Sequence, residues 1–207
     1  MESRQRILEA ARKVYEESGF RGATTRRIAA EAGVNEVTLF RIFGSKDALL
    51  SEAIRAGAGS GAPCGLPARP EHPEQEVAAW CEATMRHLRS NRALIRKTLS
   101  ELEERPELTP CASMGPTCAA RDLRAYIQHL CDAGLIDGDC PAEAASAMLL
   151  GAVFGDAMNR ETMPEIFPYP VEDAPRLYAE LFLRAIGLHS ATKPERAVQS
   201  RSRRRAS

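Results

Sequence analysis

From Arg4 to about Ser18, the apolar residues Ile7, Leu8, Ala11, Val14 and Tyr15 recur at three- and four-residue spacing. This pattern predicts an amphipathic helix, with Gly19 as its stop. The stretch 23–33 predicts a second helix of barely two turns, opened by threonine caps and ended by Gly33. Asn35 is placed to cap a third, from Glu36 to Phe43, and Ser45 a fourth, running through Leu49, Leu50 and Ile54 towards Ala58. Two short helices joined at Gly33-Val34 and braced by longer ones on either side predict a helix-turn-helix unit, whose second short helix enters the major groove of DNA.

Residues 57–73 contain Gly57-Ala58-Gly59-Ser60-Gly61-Ala62-Pro63 and three further prolines without apolar period, the composition of a mobile linker. A phosphate-binding loop would need a Gly-Lys-Ser/Thr ending after a strand, and neither is present. Beyond it the apolar spacing predicts helices at about 73–90, 92–105, 117–134, 141–160 and 172–188, with loops at 106–116, 135–140 and 163–171. Strand-like alternation is absent throughout. The expected fold is all-α: a helix-turn-helix domain over 1–56, a linker over 57–73, a helical bundle over 74–189 and a basic tail over 190–207 without a packed structure of its own.

A formal net charge of zero argues at first against nucleic acid, but the charge is partitioned. Residues 1–56 carry +2, residues 57–189 carry −7 and residues 190–207 carry +5, so a basic face can still meet phosphate. The tail suits either a solvated terminus or a non-specific DNA-tethering arm. No apolar run approaches a membrane span, and the first residues lead straight into an amphipathic pattern without a signal-peptide core. A cytoplasmic protein with no membrane partner is expected. The six cysteines form no C-x-x-C pair and no zinc spacing with His72, His87, His129 and His189, so thiols are expected and no metal or cofactor. Cys111 and Cys118 stand out because they sit in, and two residues beyond, the expected 106–116 loop.

At Thr24-Thr25-Arg26-Arg27-Ile28-Ala29, Ala32-Gly33-Val34, Thr38-Leu39-Phe40 and Phe43-Gly44-Ser45-Lys46-Asp47-Ala48-Leu49-Leu50, the chain resembles the TetR family of bacterial transcriptional regulators. The resemblance covers about the first 55 residues and implies a dimer that binds a palindromic operator and releases it when a small molecule binds. It implies that Thr25 and Arg26 hold a phosphate, Arg26 also reaching a guanine edge. Asn35, Glu36 and Val37 open the recognition helix, with Glu36 suited to a cytosine amino group and Val37 to a thymine methyl. Thr38 and Lys46 are implied phosphate contacts, while Arg41 suits a phosphate contact or a solvated face equally. Ile28, Ala29, Val34, Leu39 and Phe43 read as core. Family members usually carry tyrosine where this chain has Phe40, so one phosphate hydrogen bond is missing. The long 57–73 segment also departs from the family's short passage into its next helix.

The family's last two long helices form a four-helix bundle with a partner subunit. The corresponding candidates are Ala144, Ala147, Gly151, Ala152 and Gly155, whose small side chains permit close approach, together with Leu177, Leu181, Phe182 and Ile186. The alternative is that these stripes close an intramolecular core. Trp80, Met85, Leu99, Tyr126, Met148 and Phe154 are expected at core-facing positions, where they either line a pocket for a largely hydrophobic ligand or simply pack. Two other functions compete: a dimeric DNA-binding regulator without a ligand, and an enzyme built in a helical bundle. For the latter there is no G-x-S-x-G, H-E-x-x-H or paired E-x-x-H, and the histidines are scattered.

Overall fold

The computed structural model describes residues 2–59, 65–136 and 139–188. Within them the chain is helical, with no strand. The helices are α1 (Glu2–Gly22), α2 (Thr25–Ala32), α3 (Glu36–Phe43), α4 (Lys46–Gly59), α5 (Pro73–Ser90), α6 (Arg92–Glu101), α7 (Thr109–Asp132), α8 (Ala142–Asn159) and α9 (Ala174–Ala185). Single 3₁₀ turns occupy Pro106–Leu108 and Pro164–Ile166.

The apolar stripe predicted for α1 is buried as expected, with Ile7, Ala11 and Tyr15 wholly enclosed. Gly19, at φ 66° and ψ −173°, leaves the helical conformation where the stop is expected, and a short further turn carries α1 on to Gly22. α2 and α3 follow the predicted bounds because their ends are chemically marked. The Thr24 hydroxyl accepts from the Arg27 N–H and the Asn35 side chain from the Val37 N–H. Between them Gly33 sits at φ 63°, in the left-handed region that a side chain would strain, and its N–H reaches back to Ala29 and Ala30.

Four expectations are corrected. The loop at 106–116 is mostly helix: α7 starts at Thr109 and runs through Pro116. Leu108 and Cys111 are buried against α1–α4, and that packing outweighs the weak local propensity of Gly115-Pro116. Cys111 and Cys118 therefore lie on a helix. α6 ends at Glu101 rather than 105, since Pro106 keeps Arg105 out of the helical region, at φ −137° and ψ 69°. The expected linker is shorter, because α4 continues to Gly59 and Leu66 packs against the body. Gly57 is buried where a Cβ would lie 2.4 Å from Leu94 Cδ2, so glycine there permits close approach of α4 and α6. Residues 60–64 of that linker and the basic tail at 190–207 lie outside the described residues.

Among the described residues, two hydrophobic cores organise the fold. The first joins α1–α4 and takes in Leu94 of α6 and Leu108 and Cys111 near the start of α7. The second joins α5, the later turns of α7, α8 and α9 around Val77, Trp80, Tyr126, Leu149, Val153 and Phe182. α7 thus belongs partly to each half, while α6 contributes Leu94 to the first.

Candidate nucleic-acid interface

The short helices of the head bury one face and leave the other bare. Ile28, Ala29 and Ala32 of α2 and Leu39 and Phe43 of α3 turn into the first core. This anchoring leaves Val37 72% and Phe40 46% exposed on α3, beside exposed Arg41. Large apolar side chains held in water on a two-turn helix whose far side is fully packed form a surface with no internal structural use. Arg26 on α2 and Arg41 on α3 make no hydrogen bond or ion pair among the described residues, so both guanidinium groups are available to phosphate.

The other residues expected at this face have further partners. Thr25 and Glu36 are both half-buried, and the Thr25 hydroxyl donates to Glu36 Oε2 at 2.8 Å. Asn35 spends its side-chain oxygen on the α3 cap, and the Thr38 N–H donates to the Asn35 carbonyl at 2.9 Å. Lys46, the first residue of α4, lies with Nζ 4.5 Å from the centre of the Phe20 ring. Burial, and then the nearby Arg105 cation, lower its pKa, opposed by the charges of Asp47 and Glu101. Arg27, one residue beyond Arg26, is tied to the Gly22 carbonyl and to Glu17.

A polar clasp that local sequence patterns do not signal joins this head to α6. Glu101 accepts from the Tyr15 hydroxyl at 2.9 Å and from the Phe20 N–H at 3.0 Å. Burial, reinforced by Glu101, raises the pKa of the Tyr15 phenol. Arg105 stacks on the Phe20 ring at 3.1 Å from its centre and reaches Asp47 at 3.6 Å. At its other end α6 is bound to the end of α8, through Arg96 to the Met158 carbonyl and Arg92 to Glu161.

In the body, the six residues expected to face the core separate. Trp80, Met85 and Tyr126 are buried, Phe154 is half-buried, and Leu99 and Met148 are 45% and 52% exposed. The core-facing expectation for Leu99 and Met148 is thereby corrected. Met148 shares the outward side of α8 with Ala144, Ala147 and Gly151, because the small residues point away from the core rather than into it. A Cβ at Gly151 or Gly155 would meet nothing within 4 Å, and Leu181 on α9 is 59% exposed, with Leu177 half-buried. Among the described residues, α8 and α9 therefore leave an apolar face without a partner, while Phe182 and Ile186 are core. An open groove of about 410 Å³ lies between the start of α5 and α9, lined by Glu74, Arg176, Glu180, Arg184 and Leu183 among others; it contains none of the six. Among the described residues, no group of His, Cys, Asp and Glu is arranged to hold a metal ion, and no helix is long and apolar enough to cross a membrane.

The most buried charge in the body is Asp156 of α8. Arg160 meets both its oxygens, Nε at 2.7 Å and Nη2 at 2.5 Å, and the Tyr178 hydroxyl donates to Oδ2 at 2.7 Å. Arg160 also donates to the carbonyls of Phe167 and Tyr169, so this cluster fastens the connection between α8 and α9.

Comparison with known proteins agrees with this geometry. Over 56 residues the chain is 41% identical to the HTH-type transcriptional repressor AcnR of Corynebacterium efficiens, a match that takes in 27% of this chain and 30% of that repressor. The fold extends further: the flavonoid-responsive regulator FrrA superposes with a TM-score of 0.69 over 89% of this chain and 97% of its own, at 22% identity. Salmonella enterica GusR gives 0.69 over 89% and 95%, at 21% identity. Residues 7–53 match the model of the bacterial regulatory proteins of the tetR family. Over that stretch, which spans α1 to α4 as far as Ala53, the chain is similar to the bacterial regulatory proteins of the tetR family.

Proposed function

We propose that the protein is a dimeric DNA-binding transcriptional regulator, a repressor that leaves a palindromic operator when a small, largely hydrophobic ligand binds its body. The observation that carries this reading is the bare face of α3, where Val37, Phe40 and Arg41 stand exposed on a helix whose other side is fully anchored. Residues 1–56 serve as the DNA-binding head, 57–73 as the connection and 74–189 as the ligand-binding and dimerisation domain, followed by the basic tail at 190–207. Arg26, Arg41 and Lys46, with Thr38 and the free N–H groups at the start of α2, supply phosphate contacts; Glu36 and Val37 read bases. The unpartnered face of α8 and α9, with Ala144, Ala147, Gly151, Gly155, Leu177 and Leu181, supports a two-fold dimer, which brings two copies of α3 to two half-sites. AcnR is named a repressor and FrrA is named flavonoid-responsive, which supports a repressor sensitive to a small molecule.

The test is selection of bound duplexes from a random DNA library, which should yield one motif with two-fold symmetry. Recovery of no motif overturns the reading. A ligand-free regulator is the second reading, favoured by the close burial of Trp80, Met85 and Tyr126, which belong to a packed core. Titration calorimetry of body-binding compounds with and without the selected duplex separates the two. A ligand coupled to DNA release must bind less tightly when the duplex is present, by roughly 5- to 150-fold.

A further inference from the structure

Thr25 and Glu36 are each the first residue of a helix, yet neither caps it. Thr24 caps α2 and Asn35 caps α3, which frees the Thr25 hydroxyl and the Glu36 carboxylate for each other. They meet across the turn at 2.8 Å, Oγ1 donating to Oε2. A hydroxyl carries one proton, and a phosphate oxygen only accepts. While Thr25 donates to Glu36 its hydroxyl cannot also donate to the DNA backbone, so any phosphate held here rests on the free N–H groups at the start of α2 and on Arg26.

Glu36 forms no ion pair among the described residues. Its charge is met by the Thr25 hydroxyl and by the positive end of α3. One oxygen is held, and Oε1 has no partner among the described residues. On the surface that faces a polyanion, a bare carboxylate is unfavourable unless a base edge donates to it. In the major groove cytosine presents an amino donor with no acceptor beside it, adenine presents its N6 amino group next to the N7 acceptor, and guanine O6 and N7 and thymine O4 are acceptors that repel a carboxylate, so cytosine suits Oε1 best. A carboxylate free to rotate would swing into water and lose this selectivity; a fixed one retains it.

We infer that Thr25 is a specificity-positioning residue whose hydroxyl fixes the Glu36 carboxylate so that Oε1 accepts from a cytosine amino group in each half-site. The inference rests on the DNA-binding reading above and reassigns Thr25 from backbone contact to support of base readout.

The experiment uses the full chain and the duplex selected by the wild type, together with every single-base-pair variant of that duplex. Binding is measured for the wild type, Thr25→Val, Thr25→Ser, Glu36→Ala and the double variant Thr25→Val/Glu36→Ala. Glu36→Ala and Thr25→Val should each reduce discrimination at the same base pair by at least about fivefold. Thr25→Ser should restore it, and the double variant should discriminate no worse than Glu36→Ala alone. If Thr25→Val weakens every duplex alike with discrimination intact, the hydroxyl is a phosphate contact and the inference falls. It falls equally if the motif survives Glu36→Ala unchanged. A wild type that selects no duplex overturns the DNA-binding reading and the inference together.

Discussion

Replacing Asp156 by alanine tests whether the buried cluster between α8 and α9 holds the body together. The carboxylate is wholly enclosed, and the Arg160 side chain that grips it is only 16% exposed. Arg89 stands 3.5 Å from Oδ1 as a second, looser cation. Removing the acid leaves the Arg160 guanidinium without its counter-ion, and Tyr178 keeps only its hydroxyl contact with Tyr169. Breaking one side of a buried ion pair costs about 3–5 kcal/mol, more than the pair contributes relative to an apolar substitute, because a charge remains unpaired. Asp156→Asn should cost less, about 1–3 kcal/mol, since an amide oxygen still accepts hydrogen bonds but no longer neutralises Arg160. The pH dependence follows from the depressed pKa. Burial alone pushes the Asp156 carboxyl upward, but the hydrogen bonds from Arg160 and Tyr178 and the charges of Arg160 and Arg89 hold it below the ordinary value. Its contribution is therefore fully present above the unfolded-chain pKa of about 4 and is lost as pH falls through the lower folded value. Urea unfolding at fixed protein concentration, at pH 7 and again near pH 3, should show the gap between wild type and Asp156→Asn narrowing in acid. A Asp156→Ala variant within about 1 kcal/mol of wild type at pH 7, against the cost expected of an orphaned buried charge, would refute the reasoning.

Glu101→Ala should destabilise the chain by about 2–4 kcal/mol, because the buried Tyr15 hydroxyl and the Phe20 N–H both lose their acceptor; faster hydrogen exchange at Phe20 is the local readout. Phe40→Tyr should tighten all duplexes alike, by about 0.5–1.5 kcal/mol, if the exposed ring lies along the DNA backbone; unchanged affinity places it elsewhere. Lys46→Ala should weaken every duplex equally and lower the slope of log affinity against log salt by about one, and an unchanged slope would confine Lys46 to its contact with Phe20. Gly151→Arg puts a charge where nothing lies within 4 Å among the described residues, so the fold should survive while light scattering reports loss of the proposed dimer; a persistent dimer would remove α8 from the interface.

The head was legible in the sequence because its determinants are local. Threonine, asparagine and glycine mark the ends of α2 and α3 within a residue or two of the bonds they make, and the spacing of Ile28, Ala29, Leu39 and Phe43 gives the buried face directly. The body was less so. Its α8 alternates small and large apolar residues on all sides, and periodicity cannot distinguish a face turned to the chain's own core from one left for a second copy. Met148 was misplaced for that reason. Leu99 stays outside because its neighbour Thr98 takes the buried position on α6 and donates to the Leu94 carbonyl at 2.9 Å. The 109–116 segment looked like a loop because Gly115 and Pro116 are breakers, whereas the burial of Leu108 and Cys111 by helices over fifty residues earlier is a tertiary fact.

That same non-local packing bears on how a ligand could act on DNA. Leu94, Leu108 and Cys111 lie beyond the head in the sequence but share its core, and Glu101 and Arg105 clasp α1 at Phe20. The opposite end of α6 is fastened to the end of α8 through Arg92 and Arg96. A change in the tilt of α8 cannot leave both attachments intact: either the head follows α6, or bonds at one end break. The head side has the greater hold, since burial of Leu94 and two hydrogen bonds to a single carboxylate anchor it, whereas the Arg92–Glu161 pair ends on a side chain that is 76% exposed and screened by water. Motion originating in the body should therefore carry α6 with the head when the change is small, and release it at Glu161 first when the change is large.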